Sequence, residues 1–330
     1  AGNTPAIGTG SWTLISGAGT IASAILPNTA LTALGTGSNV FMWTISNGVC
    51  PPSTSTVLIQ ADAVPTTANA GPNQTVCATT ATMAGNTPAI GTGSWTLISG
   101  AGTITTPTLE TTGITALGAG INIFEWTISN GVCPPSTSTV SIQRDLNPST
   151  SLAGANQTVC ATVATLNGNN PAVGTGTWSL VSGGGTITSP NLFNTGLTAL
   201  AGGVNVFQWT IGNGVCANSS STVSVQRDLN PSTSLAGANQ TVCATVATLN
   251  GNNPAVGTGT WSVVSGGATI TSPNLFNTGL TALNPGVNVL QWTIGNGVCA
   301  NSSSTVSIKR DLNPTVANAG PSQTICALTT

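Results

Sequence analysis

The sequence predicts an all-β protein built of tandem β-sandwich repeats. Three observations support this fold class. Tryptophan and cysteine recur at a constant spacing, and short segments alternate apolar and polar residues with a period of two. Glycine and proline separate these segments, and no helical periodicity is present. Together they favour many short strands over a single large fold.

The repeat period is 83 residues, the spacing from Trp12 to Trp95. Two tryptophan positions and two cysteine positions recur at this spacing, and no insertion interrupts it. The tryptophan positions are Trp12, Trp95, Trp178, Trp261 and Trp43, Trp126, Trp209, Trp292, and the cysteine positions are Cys50, Cys133, Cys216, Cys299 and Cys77, Cys160, Cys243, Cys326. We therefore expect a partial repeat at 1–62, complete repeats at 63–145, 146–228 and 229–311, and the first strand of a further repeat at 312–330.

The second repeat illustrates the predicted strands in chain order. The expected strand segments are 73–76, 79–83, 94–99, 111–117, 121–129 and 136–143. In segment 121–129, the residues Phe124, Trp126 and Ile128 share one phase of the period-two pattern and alternate with Ile123, Glu125 and Thr127, as expected for a strand with one face in a core. About seven short strands in one such period match an immunoglobulin-like sandwich, and such sandwiches in tandem predict an extended rod.

The tryptophans are the predicted core residues, because each repeat has few other large apolar side chains. The alternative is a sugar-stacking surface, which would require an exposed Trp12 or Trp95. Asn-Gly pairs between alternating segments predict hairpin turns of type I′, in which both central residues have positive φ. These pairs are Asn47 and Gly48, Asn130 and Gly131, Asn213 and Gly214, and Asn296 and Gly297.

The charge composition excludes several functions. Only 4 Lys and Arg and 6 Asp and Glu occur in 330 residues, and there is no His. A catalytic Ser-His or Cys-His pair therefore cannot form, and the chain has too few lysines and arginines to bind nucleic-acid phosphates. Glu110 and Glu125 do not recur, so no pair of catalytic carboxylates repeats. We predict no enzyme, no nucleic-acid binding and, since no stretch approaches about 18 apolar residues, no membrane insertion in this segment.

One aspartate recurs at each predicted boundary between repeats, and the four are Asp62, Asp145, Asp228 and Asp311. Calcium at these positions is the one cofactor hypothesis. A single carboxylate is a poor match for the roughly 6–8 oxygens that calcium prefers. A local ion pair or an Asx turn is the preferred interpretation. We otherwise expect no cofactor or metal.

The cysteines predict disulfides in an oxidising, extracellular environment, because the chain has neither a C-x-x-C motif nor a histidine to bind zinc. Two pairings fit the spacing. Pairing across a boundary, as in Cys133–Cys160, would span ~30 Å in a rod, whereas a disulfide needs Cα atoms within about 7 Å. Pairing within a repeat is favoured. It gives Cys77–Cys133, Cys160–Cys216 and Cys243–Cys299, and leaves Cys50 and Cys326 to pair across the chain ends.

Two short motifs carry a family resemblance. AGPNQTVC at 70–77 and SNGVC at 129–133 resemble the first strand and the last hairpin of PKD-like, immunoglobulin-type repeats. Such repeats occur in very large bacterial surface adhesins and gliding-type filaments that are cargo of type IX secretion. The tryptophan strand reads GSWTLISGAG, without the W-x-F-G-D-G of PKD domains proper, so the chain resembles a PKD-like relative. The resemblance implies a role as stalk or adhesive filament.

The leading functional hypothesis is a structural segment of a secreted, disulfide-bonded filament or adhesin stalk at the cell surface, which mediates attachment or forms a fibre. Its partners would be copies of itself, because few charges protect its sheet edges from association. One alternative is a tandem module that binds surface glycans through loops beside the Asn-Gly turns. Another is a subunit that polymerises by donating the segment from Ala319 to Thr330 as a strand. A window of a longer array is preferred to this last interpretation.

Overall fold

The computed structural model describes residues 1–326, and all of their regular elements are β-strands. These residues contain no helix with the length and apolar character that a membrane crossing needs. The chain divides into two compact units. The first contains Ala1–Asn147 and Asn213–Ala217, and the second contains Pro148–Gly212 and the chain from Asn218 onward.

The first unit contains five strands of the first repeat and seven of the second. They are β1 Thr9–Ser16, β2 Thr20–Ile21, β3 Leu31–Thr32, β4 Gly37–Ser46, β5 Ser53–Ala61, β6 Gln74–Val76, β7 Ala81–Ala84, β8 Thr92–Ser99, β9 Thr103–Ile104, β10 Thr111–Thr115, β11 Gly120–Ser129 and β12 Ser136–Arg144.

The second unit contains the strands of the third and fourth repeats, seven in each. They are β13 Gln157–Val159, β14 Ala164–Asn167, β15 Thr175–Ser182, β16 Thr186–Ile187, β17 Asn194–Thr198, β18 Gly203–Gly212, β19 Ser219–Arg227, β20 Gln240–Val242, β21 Ala247–Asn250, β22 Thr258–Ser265, β23 Thr269–Ile270, β24 Asn277–Thr281, β25 Gly286–Gly295 and β26 Ser302–Arg310.

The second repeat forms two sheets, with strand orders β6-β12-β11-β8 and β7-β10-β9. The short strand β6 runs parallel to the last strand β12, and the other pairs are antiparallel. The third and fourth repeats have the same orders. Both sheets follow the strand order of an immunoglobulin sandwich. The predicted fold class, all-β with tandem immunoglobulin-like repeats, is confirmed. The predicted boundaries at 63–145, 146–228 and 229–311 stay predictions.

Each complete repeat has its own core, centred on a pair of tryptophans. In the second repeat the rings of Trp95 and Trp126 lie 5.0 Å apart at 39°, and both side chains are buried. Phe124 and Ile128 lie in the same phase of β11 as Trp126 and are fully buried. All eight tryptophans are at most 8% exposed. Aromatic burial on this scale supplies much of the apolar area that a small sandwich needs.

A buried asparagine recurs two residues before the core phenylalanine or leucine. Asn205 is fully buried, and its Nδ2 donates to the carbonyl oxygens of Ala201, Gly203 and Val225 at 3.0, 3.1 and 3.2 Å. Its Oδ1 accepts from the Gly184 amide at 2.8 Å. A buried amide is stable only when its polar atoms are paired, and here all are. Asn39, Asn122 and Asn288 occupy the same place.

The Asn-Gly pairs lie in the loops between antiparallel strands, but the predicted type I′ geometry is wrong. In the second repeat, β11 ends at Ser129 and β12 begins at Ser136, so six residues form the loop. The Cys133 amide donates to the Asn130 carbonyl at 3.2 Å, and only Gly131 of the Asn-Gly pair has a positive φ, of 53°. The glycine is therefore the first central residue of a four-residue turn.

The strands of residues 1–62, β1–β5, correspond in order to β8–β12 of the second repeat. Their sheets have strand orders β1-β4-β5 and β2-β3, and their buried core consists of Trp12, Phe41 and Trp43. Val57 on β5 is 39% exposed, whereas Val140, its counterpart on β12, is 1% exposed.

Candidate functional site: the joints between repeats

The strongest candidate site recurs where one repeat ends and the next begins. We define a joint as the aspartate that follows the last strand of a repeat, together with the Asn-Gly turn loop of the following repeat. Asp62 meets loop 130–133, Asp145 meets loop 213–216, and Asp228 meets loop 296–299. The first two joints lie in the first unit, and the third lies in the second unit.

Two hydrogen bonds form each joint. At the third joint, Asp228 Oδ2 accepts from the Val298 amide at 2.9 Å, and Asn296 Nδ2 donates to the Leu229 carbonyl at 2.7 Å. The corresponding bonds at the other joints are Val132 to Asp62 at 3.0 Å, Asn130 to Ala63 at 2.8 Å, Val215 to Asp145 at 3.1 Å and Asn213 to Leu146 at 2.7 Å. A carboxylate that accepts from an amide forms a strong, oriented contact.

The glycine of each turn makes room for the aspartate. Gly214 has φ 54°, and a Cβ added to it would overlap the Asp145 carboxylate. The same overlap would occur between Gly131 and Asp62 and between Gly297 and Asp228. Glycine is thus required here for two reasons: the left-handed backbone conformation and the close approach of the carboxylate.

The joints are also where the disulfides form, and the pairing predicted within repeats is wrong. Cys77 bonds Cys216 and Cys160 bonds Cys299, each pair with Cα atoms 5.1 Å apart and a sequence separation of 139 residues. The predicted pairs Cys77–Cys133, Cys160–Cys216 and Cys243–Cys299 do not form, and neither does Cys133–Cys160. Each disulfide joins the first strand of one repeat to the turn loop of the next.

The direction of β6 explains this pairing. Because β6 runs parallel to β12, with Val76 opposite Arg144, Cys77 lies beside the end of the last strand. Cys133 lies before the start of that strand, nine residues of β12 away, which at ~3.3 Å per residue places the two about 30 Å apart. An antiparallel first strand would have brought them together. Because β6 is parallel to β12, Cys77 lies at the joint instead.

The remaining cysteines are Cys50, Cys133, Cys243 and Cys326, and all four are free. The predicted pairing of Cys50 and Cys326 across the chain ends joins successive chains, so it stays a prediction. Cys216 and Cys299 are 5% exposed, whereas Cys50, Cys243 and Cys326 are exposed. The two disulfides indicate an oxidising, extracellular environment.

The expected local ion pair forms at Asp311, and in residues 1–326 it does not form at Asp62, Asp145 or Asp228, nor does it involve a preceding arginine. Arg144, Arg227 and Arg310 donate instead to carbonyl oxygens of their own repeats, at 2.9–3.1 Å. Asp311 differs from the other three, because its carboxylate lies 2.9 Å from Lys309 Nζ. Within residues 1–326 no three Cys, Asp or Glu side chains cluster as metal ligands. In the described residues, this geometry therefore gives no cluster of side-chain ligands that would support the calcium hypothesis for Asp62, Asp145, Asp228 and Asp311.

The tryptophans do not offer a sugar-stacking surface. Trp12 and Trp95, the two on which that alternative depends, are 8% and 2% exposed. Their indole Nε1 atoms donate to backbone carbonyls of Pro27 and Glu110 at 3.3 and 3.2 Å. A ring buried on both faces cannot stack on a sugar.

The pKa of Asp145 is lowered from its ordinary value of 3.8, chiefly because Gln143 Nε2 donates to its Oδ1 at 2.9 Å and secondly because the Val215 amide donates to its Oδ2. A pKa lowered by folding means that ionised Asp145 stabilises the joint above about pH 4. We expect this contribution to be lost as the pH falls through the lowered pKa. An NMR titration of the Val215 amide measures it.

The control for this titration is Asp145→Asn, which keeps an acceptor oxygen and removes the ionisation. In that variant we expect the acid step in the Val215 amide shift to disappear. A midpoint at or above 3.8 in the unmodified chain would contradict the assignment.

Comparisons with known proteins support no family assignment. No protein-family model matches the chain, and no curated protein matches it. Solved structures with similar chains include immunoglobulin domains 1–4 of Sidekick-1, with 11% identity, a TM-score of 0.36 and coverage of 94% of this chain and 97% of that one. The insect immune protein hemolin has 9% identity, a TM-score of 0.33 and coverage of 94% and 93%. The human desmocollin-1 ectodomain has 11% identity, a TM-score of 0.32 and coverage of 92% and 75%. The fold assignment therefore rests on the strand order of the sheets.

Sequence reasoning identified the joint aspartates and cysteines but missed what they contact. The partner of Asp228 is a backbone amide 70 residues away, and the sequence does not identify which backbone amide a carboxylate will contact. The buried asparagines were also missed. A signal for them exists, since Asn122 falls in the same alternating phase as Phe124 and Trp126. A polar residue that recurs in the buried phase of a strand indicates an internal hydrogen-bonding role.

Proposed function

We propose that this chain is a structural segment of an extracellular filament or adhesin stalk, whose joints between immunoglobulin-like repeats are closed by disulfides. The observation that carries the proposal is the pairing of Cys77 with Cys216 and of Cys160 with Cys299. A disulfide within one sandwich stabilises that sandwich alone. A disulfide between consecutive repeats instead transmits tension past the joint, which is the property that a stalk requires.

The surface is suited to self-association. Only ten side chains carry a formal charge, and four of them are the joint aspartates. Proteins normally protect exposed strand edges with lysine and other charges, and this chain has a single lysine, Lys309. We infer that lateral or head-to-tail contacts between copies build the fibre. The extended rod and the bacterial surface location are part of this proposal, the latter through the resemblance of AGPNQTVC and SNGVC to PKD-like repeats.

The glycan-binding alternative has less support, because no tryptophan among residues 1–326 presents a ring face. Strand donation from Ala319 to Thr330 has a specific observation in its favour. Ile325 is 82% exposed, whereas its counterparts Val76, Val159 and Val242 pack against the cores of complete repeats. The last four residues of that segment lie outside the described residues.

Electron microscopy of native material tests the proposed function. We expect continuous fibres with an axial repeat of roughly 35 Å, the length of a sandwich whose longest strands have about ten residues. Treatment with a reductant is the control, and it should make the fibres more fragile because the joints lose their disulfides. Native material that consists of dispersed single chains would contradict a filament or stalk.

A further inference from the structure

We propose that the third and fourth repeats each carry a binding groove for a neutral oligosaccharide. In the fourth repeat the groove has a volume of about 480 Å³ and lies between loop 253–257, the start of β22 and segment 274–276. The third repeat has the corresponding groove, of about 490 Å³. Both volumes fall within the range of about 300–1,000 Å³ that is usual for small-ligand sites. The inference goes beyond the proposed structural role and does not depend on it.

One wall of each groove is an aromatic ring that the fold leaves partly exposed. Phe276 is 39% exposed and its counterpart Phe193 is 40% exposed, whereas the other three phenylalanines of the chain are fully buried. Both rings line their grooves. A partly exposed phenylalanine ring offers an apolar surface against which the C–H face of a sugar packs. The buried tryptophans offer no such surface.

Uncharged side chains that both donate and accept hydrogen bonds line much of the remaining surface. Thr260 Oγ1 donates to Asn274 Oδ1 at 3.2 Å, which links β22 to segment 274–276. Thr177 donates to Asn191 at 3.3 Å in the same way in the third repeat. Each contact leaves the asparagine Nδ2 as a donor and the threonine oxygen as an acceptor. Asn253 adds an exposed amide. This set of groups matches sugar hydroxyls, which also donate and accept.

The grooves fit a neutral sugar better than an ion or a peptide strand. Among the described residues, no acidic or basic side chain lines either groove, so a charged ligand would lose solvation without gaining an opposite charge. A peptide would have to add to β22, which lies at the edge of its sheet. The Trp261 amide on that strand already donates to the Pro273 carbonyl at 2.8 Å, so the chain itself occupies that edge.

The second repeat has the same strand order but different residues at this place. Glu110 stands where the third repeat has Phe193, and its Oε1 accepts from Thr87 Oγ1 at 3.3 Å. Thr108 stands where the third repeat has Asn191. The same fold therefore exists without the aromatic wall and with a carboxylate in its place. The second repeat thus supplies substitutions that the sandwich is already known to accommodate.

NMR of the full chain with ¹³C-labelled phenylalanine rings tests the site. The probes are cellotriose, maltotriose and triacetylchitotriose, each titrated into the millimolar range. We expect at least one of them to shift the Phe193 and Phe276 ring signals to saturation and to leave the signals of the three buried rings unchanged. Trigalacturonate, an anionic trisaccharide, should shift none of them. Three neutral probes without effect, or equal binding of trigalacturonate, would overturn the inference.

The double variant F193E/F276E places the residue of the second repeat in both grooves. We expect its affinity for the sugar that binds the unmodified chain to fall at least about tenfold, as for removal of a central aromatic contact. Saturation-transfer NMR of the sugar is the readout. The matched control is L192E/L275E, which changes the neighbouring exposed leucines outside the grooves and should bind as before. An equal loss in both variants would contradict the assigned site.

The reciprocal change separates a groove from a merely exposed ring. T87N/T108N/E110F gives the second repeat the side chains of the third, and we expect a third set of ring signals that the sugar shifts. E110F alone supplies the ring without the amides and should respond more weakly. An equal response from the two variants would overturn the assignment of the asparagines. Circular dichroism of each variant checks that the repeats remain folded. Failure of the sugar to bind leaves the fibre proposal standing, because electron microscopy tests that proposal separately.

Discussion

When a single chain is stretched to its full length, we expect the oxidised protein to stop about 570 Å short of the reduced protein, because the disulfides shorten the covalent path between the chain ends. Each disulfide joins residues with a sequence separation of 139, and the shortest covalent path uses both: it crosses from Cys77 to Cys216, returns along the chain to Cys160 and crosses to Cys299. At about 3.5 Å per residue, the roughly 166 residues that this path omits give the expected difference once the widths of the two disulfides are subtracted. Single-molecule pulling by the two chain ends, with and without reductant, measures it.

The overlap of the two disulfides makes a sharper prediction for variants. A path through one disulfide alone omits a sequence separation of 139, which is less than the path through both omits, so each disulfide limits the extension even when the other is present. We therefore expect C77S and C160S each to extend about 90 Å beyond the oxidised unmodified chain, because the remaining path crosses a single disulfide. The double variant C77S/C160S should extend the full additional length. Pairing within repeats would instead lengthen each single variant by about 190 Å, the contour length of the roughly 56 residues that such a disulfide bypasses, and that result would contradict the observed connectivity.

A matched control is Cys243→Ser, since Cys243 occupies the position of Cys160 in the next repeat but is free. Its extension should equal that of the unmodified chain. The comparison separates the effect of a disulfide from the effect of changing a first-strand cysteine.

The repeat and its strands could be predicted from the sequence because both depend on local pattern. A strand such as β11 is recognisable by alternation over ten residues, and the tryptophans at fixed spacing identify its buried face. The disulfide pairing could not be predicted in this way. It depends on the direction of β6, a strand of three residues whose sequence fits equally well parallel or antiparallel to β12.

The contacts at the joints likewise could not be predicted from local sequence pattern. Sequence periodicity drew attention to Asp145, but the role of that residue depends on the Val215 amide and on the absence of a Cβ at Gly214. Those partners belong to the next repeat, so no pattern within one repeat reveals them. Glycine in an Asn-Gly pair suggested a two-residue hairpin, whereas its tight approach to a carboxylate is a tertiary property.

We expect Trp126→Ala to lower the free energy of unfolding of the second repeat by about 3–5 kcal/mol, the usual cost of removing a large aromatic side chain from a core. Trp126 is fully buried, packs at 5.0 Å on Trp95 and contacts Gly93, where no Cβ could fit. Denaturant unfolding followed by circular dichroism measures the loss. Ile121→Ala on the same strand is the control, since that side chain is 60% exposed and should cost little.

The fourth repeat supplies an internal comparison for this change. Trp126 Nε1 donates to the Asn86 carbonyl at 3.2 Å, whereas the buried Nε1 of Trp292 has no acceptor within residues 1–326. Trp292→Ala removes the same ring without removing a hydrogen bond, so we expect it to cost the fourth repeat about 1 kcal/mol less than Trp126→Ala costs the second. Each repeat has a separate core, so either variant should weaken one unfolding transition and leave the cores of the other repeats intact. Equal losses at the two positions would show that the indole hydrogen bond contributes nothing to the stability of the second repeat.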